Sequence, residues 1–170
     1  MKKLLFIHGP NGVGKSTLCR QLLRQLPNSA WLESEWCRMT NPFTFNPEII
    51  AMVERNMTFL LRNYLGCSTL EYVIFNYALH GPRGQIAANV FRNLADLEFQ
   101  LIPIIITCGE AENIRRMTAD GRDEARIKRS LLARKVYEGL TAPTIDTTAL
   151  TVAEAGRRVL DLAGVKLELG

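Results

Sequence analysis

The fold of this chain is decided by the stretch Gly9-Pro10-Asn11-Gly12-Val13-Gly14-Lys15-Ser16. The stretch fits the pattern G-x-x-x-x-G-K-[ST] and follows a short apolar run, residues 4–8. Glycines let the backbone adopt positive φ and turn its N–H groups inward, while a following helix adds the positive end of its dipole. The pattern therefore predicts a phosphate-binding loop between a first strand and a first helix.

Two side chains of this loop supply its chemistry. Lys15 brings a positive charge to the β- and γ-phosphates of a nucleotide, and the Ser16 hydroxyl is placed to ligate Mg²⁺. The site as predicted begins at Gly9 and ends at Thr17. The sequence has neither the guanine-reading motif N-K-x-D nor the transporter signature L-S-G-G-Q. We therefore predict ATP and Mg²⁺ as cofactors.

Length and composition indicate one folded domain. The chain has 170 residues, of which 47% are apolar and 22% are charged. These values are typical of a globular protein of one domain, which we predict over residues 1–170. The net charge of +4 suits an anionic ligand, but it does not require nucleic acid, and we do not expect nucleic acid as a partner.

The amino terminus only briefly resembles a signal peptide. Met1-Lys2-Lys3 precedes four apolar residues, and the apolar run ends at His8-Gly9. No other stretch approaches the roughly 20 apolar residues that a membrane span requires. We therefore expect a cytoplasmic protein with no membrane partner. The four cysteines are widely spaced, which predicts reduced thiols.

Short apolar runs alternate with segments of helical periodicity, the pattern of a parallel sheet flanked by helices. Five strands are predicted at residues 4–8, 30–32, 72–75, 101–107 and 144–146. Helical spacing predicts amphipathic helices over residues 50–64, 86–97 and 127–136. Thr151 and Glu154 form a capping-box pattern that predicts the start of a last helix. The predicted fold class is therefore α/β.

From the phosphate loop onward, the order of these elements resembles that of the small P-loop kinases. This group includes nucleoside monophosphate kinases, shikimate and gluconate kinases, and chloramphenicol phosphotransferase. The resemblance implies a three-layer fold, with a five-stranded parallel sheet in the order 2-3-1-4-5 and helices on both faces. It also implies a substrate region at about residues 36–70 and an arginine-bearing lid at about residues 116–130.

The predicted second strand ends in Glu33-Ser34-Glu35, which resembles the Asp-x-Asp motif of shikimate-kinase-like enzymes. The resemblance implies that Glu33 supports Mg²⁺ and that Glu35 meets the acceptor hydroxyl. It also implies a substrate-holding role for Arg38, three residues further on. From the residues alone, a solvated acidic turn and a salt-bridged surface arginine remain open alternatives. Trp36, together with Phe43 and Phe45, could line an apolar substrate pocket or belong to the core.

Eight of the chain's 21 basic residues lie between Arg115 and Lys135. The resemblance implies that Arg116 contacts the nucleotide and that Arg122, next to Gly121, lies in the lid. Lys15, Glu35 and Arg122 are therefore the predicted catalytic residues. A basic cluster of this kind suits a transferring phosphoryl group. The alternative is the solvated face of a helix, and helical spacing cannot bring all eight residues into one site.

The third predicted strand departs from the common P-loop pattern, because it leads into Asn76 where many P-loop proteins have an aspartate. An amide can hydrogen-bond to a metal-bound water, but it supplies no charge. Either Glu33 takes over this role or catalysis is weakened. His80, four residues later, is a further candidate for the cleft.

Our leading hypothesis is ATP-dependent phosphoryl transfer to a small-molecule or nucleotide acceptor. One alternative is an ATP-binding regulatory or interaction module without free-acceptor kinase activity, which the neutral Asn76 would suit. Another is a polynucleotide-end kinase, which the basic lid would suit. The sequence identifies neither the acceptor nor the oligomeric state.

Overall fold

Five parallel strands form one sheet in the computed structural model, which describes residues 1–165. The strands are β1 (Lys2–His8), β2 (Ser29–Glu33), β3 (Tyr72–Tyr77), β4 (Phe99–Thr107) and β5 (Thr144–Asp146). Their order is β2-β3-β1-β4-β5, as predicted. Residues 166–170 of the predicted single domain lie outside the described residues.

Helices cover both faces of the sheet, which confirms the three-layer prediction. They are α1 (Lys15–Gln25), α2 (Pro47–Gly66), α3 (Arg83–Arg92), α4 (Glu110–Ala119), α5 (Glu124–Leu132) and α6 (Val152–Leu162). Two 3₁₀ segments, Ser34–Arg38 and Ala133–Tyr137, follow β2 and α5. Within residues 1–165, no helix combines the length and apolar character needed to cross a bilayer.

The central strand β1 shows why both faces are covered. Its side chains alternate between two cores, as the period of a strand requires. Leu5 and Ile7 pack on one face with residues of α1 and α6, whereas Leu4 and Phe6 pack on the other with residues of α2 and α3. Because both faces are buried, the strand is a continuous apolar run in the sequence.

The interruption of β4 by Pro103 follows from the geometry of the sheet. Pro103 is paired with Phe6 of β1, while β5 begins to pair with β4 only at Ile105. The N–H of Ile105 donates to Pro143 on the β5 side, so the nitrogen of Pro103, two residues earlier, faces the same side. Proline is tolerated there because no neighbouring strand pairs with that edge.

Two predicted helix ends are wrong. The helix predicted over residues 127–136 is α5, which ends at Leu132 and leads into the 3₁₀ segment Ala133–Tyr137. Apolar spacing predicts a helix that continues to residue 97, but α3 ends at Arg92. The N–H of Leu94 donates to Phe91 and that of Leu97 donates to Leu94, so the chain continues as tight i→i+3 turns. These turns keep Leu94 fully buried, and they mimic the spacing of a longer helix. The capping box of α6 at Thr151 and Glu154 is formed as predicted.

Candidate active site

The phosphate-binding loop lies between β1 and α1, at the carboxyl ends of the strands. A Cβ atom on Gly9 would lie 2.1 Å from the carbonyl oxygen of Ile106 in β4. A Cβ atom on Gly12, where φ is 79°, would lie 2.3 Å from Cγ of Met117 in α4. Glycine is therefore required at both positions by the space available as well as by the backbone conformation.

Carbonyl groups of the loop are held by hydrogen bonds from side chains. The Gly9 carbonyl accepts from Lys15 at 2.9 Å and from the Tyr137 hydroxyl at 2.8 Å. The Asn11 carbonyl accepts from Asn113 at 3.0 Å, and the Val13 carbonyl accepts from Arg116 at 2.9 Å. The anchoring side chains are those of Lys15, Asn113, Arg116 and Tyr137. These bonds fix the direction of successive peptide groups in the loop.

Lys15 is the central cation of the site. Its ammonium group also donates to the Pro10 carbonyl at 2.7 Å, so it lies along the loop. Burial lowers the pKa of Lys15, the Glu33 carboxylate opposes this shift, and the charges of Arg122 and Arg83 add to it, so that the pKa is about 8. An anion placed beside this ammonium group would therefore be strongly stabilised by charge that is already desolvated.

A cavity of about 1230 Å³ extends from the loop across the top of the sheet. It brings together the loop, the end of β2, the end of β3 and part of the predicted lid. Its charged lining comprises seven cationic side chains and four carboxylates: Lys15, Arg38, Arg83, Arg115, Arg116, Arg122 and Arg126, with Glu33, Glu35, Glu112 and Asp120. The excess of positive charge suits a polyanionic ligand.

Glu33 and Asn76 are joined at the floor of this cavity. The Asn76 amide donates to the Glu33 carboxylate at 2.8 Å, and its oxygen accepts from the Trp31 indole at 2.6 Å. All three residues are buried. An aspartate at position 76 would satisfy the indole but would set two carboxylates against each other. The neutral residue is thus the partner that a glutamate at position 33 requires.

Glu35 lies at the rim of the same cavity and forms an ion pair with Arg38. The Glu35 side chain is 65% exposed and that of Arg38 is 19% exposed. The Glu35 carboxylate is thus solvated and Arg38 is salt-bridged, as the two alternatives from the sequence had it. Both side chains nevertheless line the cavity that contains the phosphate loop. Trp36 is half exposed and packs against Trp31, with ring centroids 5.2 Å apart.

The two predicted lid arginines differ in their contacts. Arg116 is held by Glu112, by the Val13 carbonyl and by Thr147 at the end of β5. Arg122 follows Gly121, which has a φ of 71°, and its guanidinium contacts Asp120 at 3.5 Å. The Arg116 side chain is thus held in place in the lining of the cavity. The Arg122 side chain makes a weaker contact, with the exposed Asp120 carboxylate. Lys128 and Arg129 of α5 are not among the lining residues.

Four parts of the site were not found from the sequence. Arg83 lines the cavity at the start of α3, and residues 147–152 line its β5 side. The Tyr137 hydroxyl accepts from the N–H of Leu79 at 2.7 Å in addition to its bond to Gly9. Arg134 donates to Asn113, which in turn holds the loop. Tyr137 and Asn113 lie far from the loop in sequence, so no local spacing relates them to it.

The residues beside the loop fit Mg²⁺ bound through a nucleotide. Among residues 1–165, no group of three or more His, Cys, Asp or Glu side chains could hold a metal alone. Ser16 is exposed in the cavity, and Glu33 lies across from it in the same lining. Mg²⁺ is commonly held by one or two protein oxygens together with phosphate oxygens and water. Ser16 and Glu33 are therefore the residues that would hold it.

The pairing of Glu33 with Asn76 leads to a prediction about stability. We expect Asn76→Asp to lower the free energy of unfolding by about 2 kcal/mol at neutral pH, because it buries two adjacent carboxylates. Their repulsion raises the pKa of the introduced carboxyl group. The loss should therefore be small below its ordinary pKa of about 4 and grow as the pH rises.

Urea unfolding in metal-free buffer, repeated across this pH range, measures the effect. The matched control is Asn28→Asp, because Asn28 donates to Glu71 at 3.0 Å on the exposed surface. Because solvent screens the Asn28–Glu71 pair, we expect Asn28→Asp to lower the free energy of unfolding by no more than about 0.5 kcal/mol. Equal losses in the two variants, or a loss independent of pH, would contradict the structural role of Asn76.

Comparison with solved structures gives the same fold at low sequence identity. The tunicamycin resistance protein of Deinococcus radiodurans has a TM-score of 0.72 and 17% identity, with 98% of each chain covered. A gluconokinase from Sinorhizobium meliloti 1021 has a TM-score of 0.65 and 14% identity, covering 95% of this chain and 92% of its own. A shikimate kinase from Acinetobacter baumannii, solved in complex with shikimate, has a TM-score of 0.64 and 18% identity, covering 96% and 93%.

A search of the curated proteins finds no match. A family model described as an AAA domain matches residues 5–137, a range that begins in β1, contains the phosphate loop and ends at Tyr137. This range covers most of the chain. The fold is that of the small P-loop kinases, and the protein belongs to the AAA-domain family.

Proposed function

We propose that this protein transfers the γ-phosphoryl group of ATP to a small-molecule acceptor. The observation that carries the proposal is that one cavity contains the phosphate loop, two carboxylates at the end of β2 and the lid arginines. Phosphoryl transfer depends mainly on positioning and on neutralising charge, and these groups are of the kind that does both. The kinase folds among the structural neighbours support the same class of reaction.

The donor side of the proposed reaction is built around the loop. Lys15 pairs with the β- and γ-phosphates, and the loop N–H groups bind phosphate oxygens. Mg²⁺, when bound with the nucleotide, neutralises phosphate charge; Ser16 and Glu33 would hold it. Arg116 and the adjacent segment 147–152 line the far side of the cavity, where we place the nucleotide base.

The acceptor side is formed by the end of β2 and the lid. Glu35 orients the acceptor hydroxyl and receives its proton as the bond to phosphorus forms. The ion pair with Arg38 holds this carboxylate at the rim of the cavity. Arg122 neutralises charge on the transferring group, since its contact with the exposed Asp120 carboxylate, at 3.5 Å, is weak.

The alternative of an ATP-binding module without a free acceptor differs in one measurable respect. A kinase releases ADP above the no-acceptor rate when its acceptor is supplied, whereas a binding module does not. A screen of nucleosides, nucleotides, sugars, sugar acids, aminoglycosides and RNA ends, followed by ADP release, separates these functions. RNA ends are included because a polynucleotide-end kinase would respond to them alone.

Lys15→Ala should abolish detectable ATP binding and turnover while leaving the melting temperature of the nucleotide-free protein nearly unchanged. The variant loses two bonds to loop carbonyls but also removes the desolvation of a buried ammonium group, and Tyr137 still donates to Gly9. Calorimetric titration with ATP and thermal unfolding measure both effects. ATP binding equal to that of the parent would refute the assignment of the phosphate site.

Glu35→Gln should lower acceptor-dependent turnover by about tenfold or more with ATP affinity preserved, because the amide cannot take a proton. Glu33→Gln should instead raise the Mg²⁺ concentration needed for half-maximal activity. Steady-state kinetics with separate variation of ATP, acceptor and Mg²⁺ distinguish the two. The control is Glu98→Gln, a neutralisation on the exposed surface away from the cavity. Identical profiles for the first two variants would contradict this division of roles.

Arg122→Ala should lower kcat by about tenfold or more while changing the Kd of ATP by less than about threefold, as expected for charge stabilisation in the transition state. Arg129→Ala is the matched control, since Arg129 is an exposed arginine of the same region that does not line the cavity. Parallel kinetics and ATP titrations provide the measurement. A parent-like kcat for Arg122→Ala would assign the role to another arginine.

A further inference from the structure

Arg83 is a buried arginine that has no role in the proposed phosphoryl transfer as described above. It is the first residue of α3, and only 9% of its surface is exposed. Its side chain lines the cavity on the same side as Glu35 and Arg38. Among residues 1–165, no carboxylate lies within salt-bridge distance of it. A buried cation without an anionic partner is costly, so its retention in a cavity points to a ligand.

The groups around Arg83 hold it without neutralising it. Its guanidinium donates to Nε2 of His80. Burial, and then the charges of Arg83, Lys15 and Arg38, lower the pKa of His80 to about 4, so this histidine is a neutral acceptor near pH 7. Burial raises the pKa of Tyr77 to about 12, and it has the same effect on Tyr137, so both phenols are also neutral.

An aromatic pair places the Arg83 guanidinium beside that of Arg38. Arg83 lies 5.4 Å from the centroid of the Phe45 ring, and Arg38 lies 5.5 Å from that of Phe43. The two rings pack edge to face, with centroids 5.0 Å apart. These contacts are favourable for each cation, and they preorganise the two guanidinium groups in the segment before α2 and at the start of α3.

The charges in this corner do not balance. Arg38 is paired with Glu35. Burial, and then the charge of Arg38, lower the pKa of Arg83. The corner therefore carries two guanidinium groups and one carboxylate, next to Lys15 and the loop. Planar guanidinium groups recognise phosphate and carboxylate through two parallel hydrogen bonds. A bound phosphate or carboxylate group would therefore neutralise the excess positive charge of the two guanidinium groups.

Building on the proposed kinase function, we propose that the acceptor carries an anionic group, a phosphate monoester or a carboxylate, which Arg83 and Arg38 bind together. This anchor would sit beside Glu35, so the acceptor hydroxyl is presented between that carboxylate and the phosphate loop. Neutral acceptors, such as nucleosides and unmodified sugars, lack the group that the paired arginines recognise. The arginine pair is thus the specificity determinant of the acceptor side.

A binding experiment tests the anion site without relying on turnover. The protein is saturated with a non-hydrolysable ATP analogue and Mg²⁺, so that the phosphate loop is filled, and is titrated with inorganic phosphate or with malonate. Tryptophan fluorescence reports binding, because the half-exposed Trp36 lies two residues from Arg38. A comparison of the affinities for phosphate and for malonate shows whether the site prefers a phosphate or a carboxylate group.

We expect Arg83→Gln and Arg38→Gln each to weaken binding of the preferred probe by about 10- to 100-fold. Arg83→Lys should recover part of the loss, since it restores charge but not the planar fork. The matched control is Arg92→Gln, an exposed arginine on the same helix, which should change affinity by less than about twofold. Arg38→Gln keeps the test valid if the buried substitution at Arg83 prevents folding.

A turnover experiment then compares matched acceptors: nucleoside 5′-monophosphates with nucleosides, and gluconate with glucose. The proposal expects ADP release with the anionic member of a pair, and an acceptor KM raised about tenfold or more in Arg83→Gln with the KM of ATP unchanged. It is overturned if the parent binds neither probe, if the arginine variants bind both probes as the parent does, or if the neutral member is the better acceptor. Failure of the ATP analogue to bind would instead refute the kinase proposal.

Discussion

The anchoring of phosphate-loop carbonyl groups by side chains is the constraint on which the rest of this site depends. The carbonyls of Gly9, Asn11 and Val13 each accept a hydrogen bond from a side chain, and those side chains come from α1, α4 and the 3₁₀ segment after α5. A loop built only of glycine and short turns would have many conformations. The tertiary anchors select one of them, so α4 and the 3₁₀ segment after α5 must be in place for the loop to have its shape.

This dependence explains which features the sequence predicted. The loop, the five strands and the capping box of α6 are encoded by neighbouring residues, and the strand order followed from the resemblance to small P-loop kinases. The end of α3 was mispredicted because buried turns reproduced helical spacing. Asn113 and Tyr137 were missed because their partners in the loop lie more than a hundred residues away in the sequence. Arg83 was missed because a lone arginine in a sequence gives no sign of burial.

The residues at the ends of β2 and β3 have to be considered as a pair. From the sequence, the neutral residue at position 76 left two alternatives: Glu33 takes over the role of the missing carboxylate, or catalysis is weakened. The structure pairs Asn76 directly with Glu33 of β2 in the parallel register. The ends of β2 and β3 thus share one negative charge, and it lies on β2 and not on β3. Pairs of adjacent strand ends, and not single positions, determine the charge available to a ligand.

The Tyr137 hydroxyl connects the phosphate loop with the segment on the Arg83 side of the cavity. It donates to Gly9 of the donor loop and accepts from Leu79, in the segment that leads to Arg83. One oxygen atom thus links the phosphate loop directly to the segment that leads to Arg83. If the loop moves when one ligand binds, this oxygen would carry part of that movement to the Arg83 side of the cavity. The affinities for ligands on the two sides would then be thermodynamically linked, and the linkage would be reciprocal.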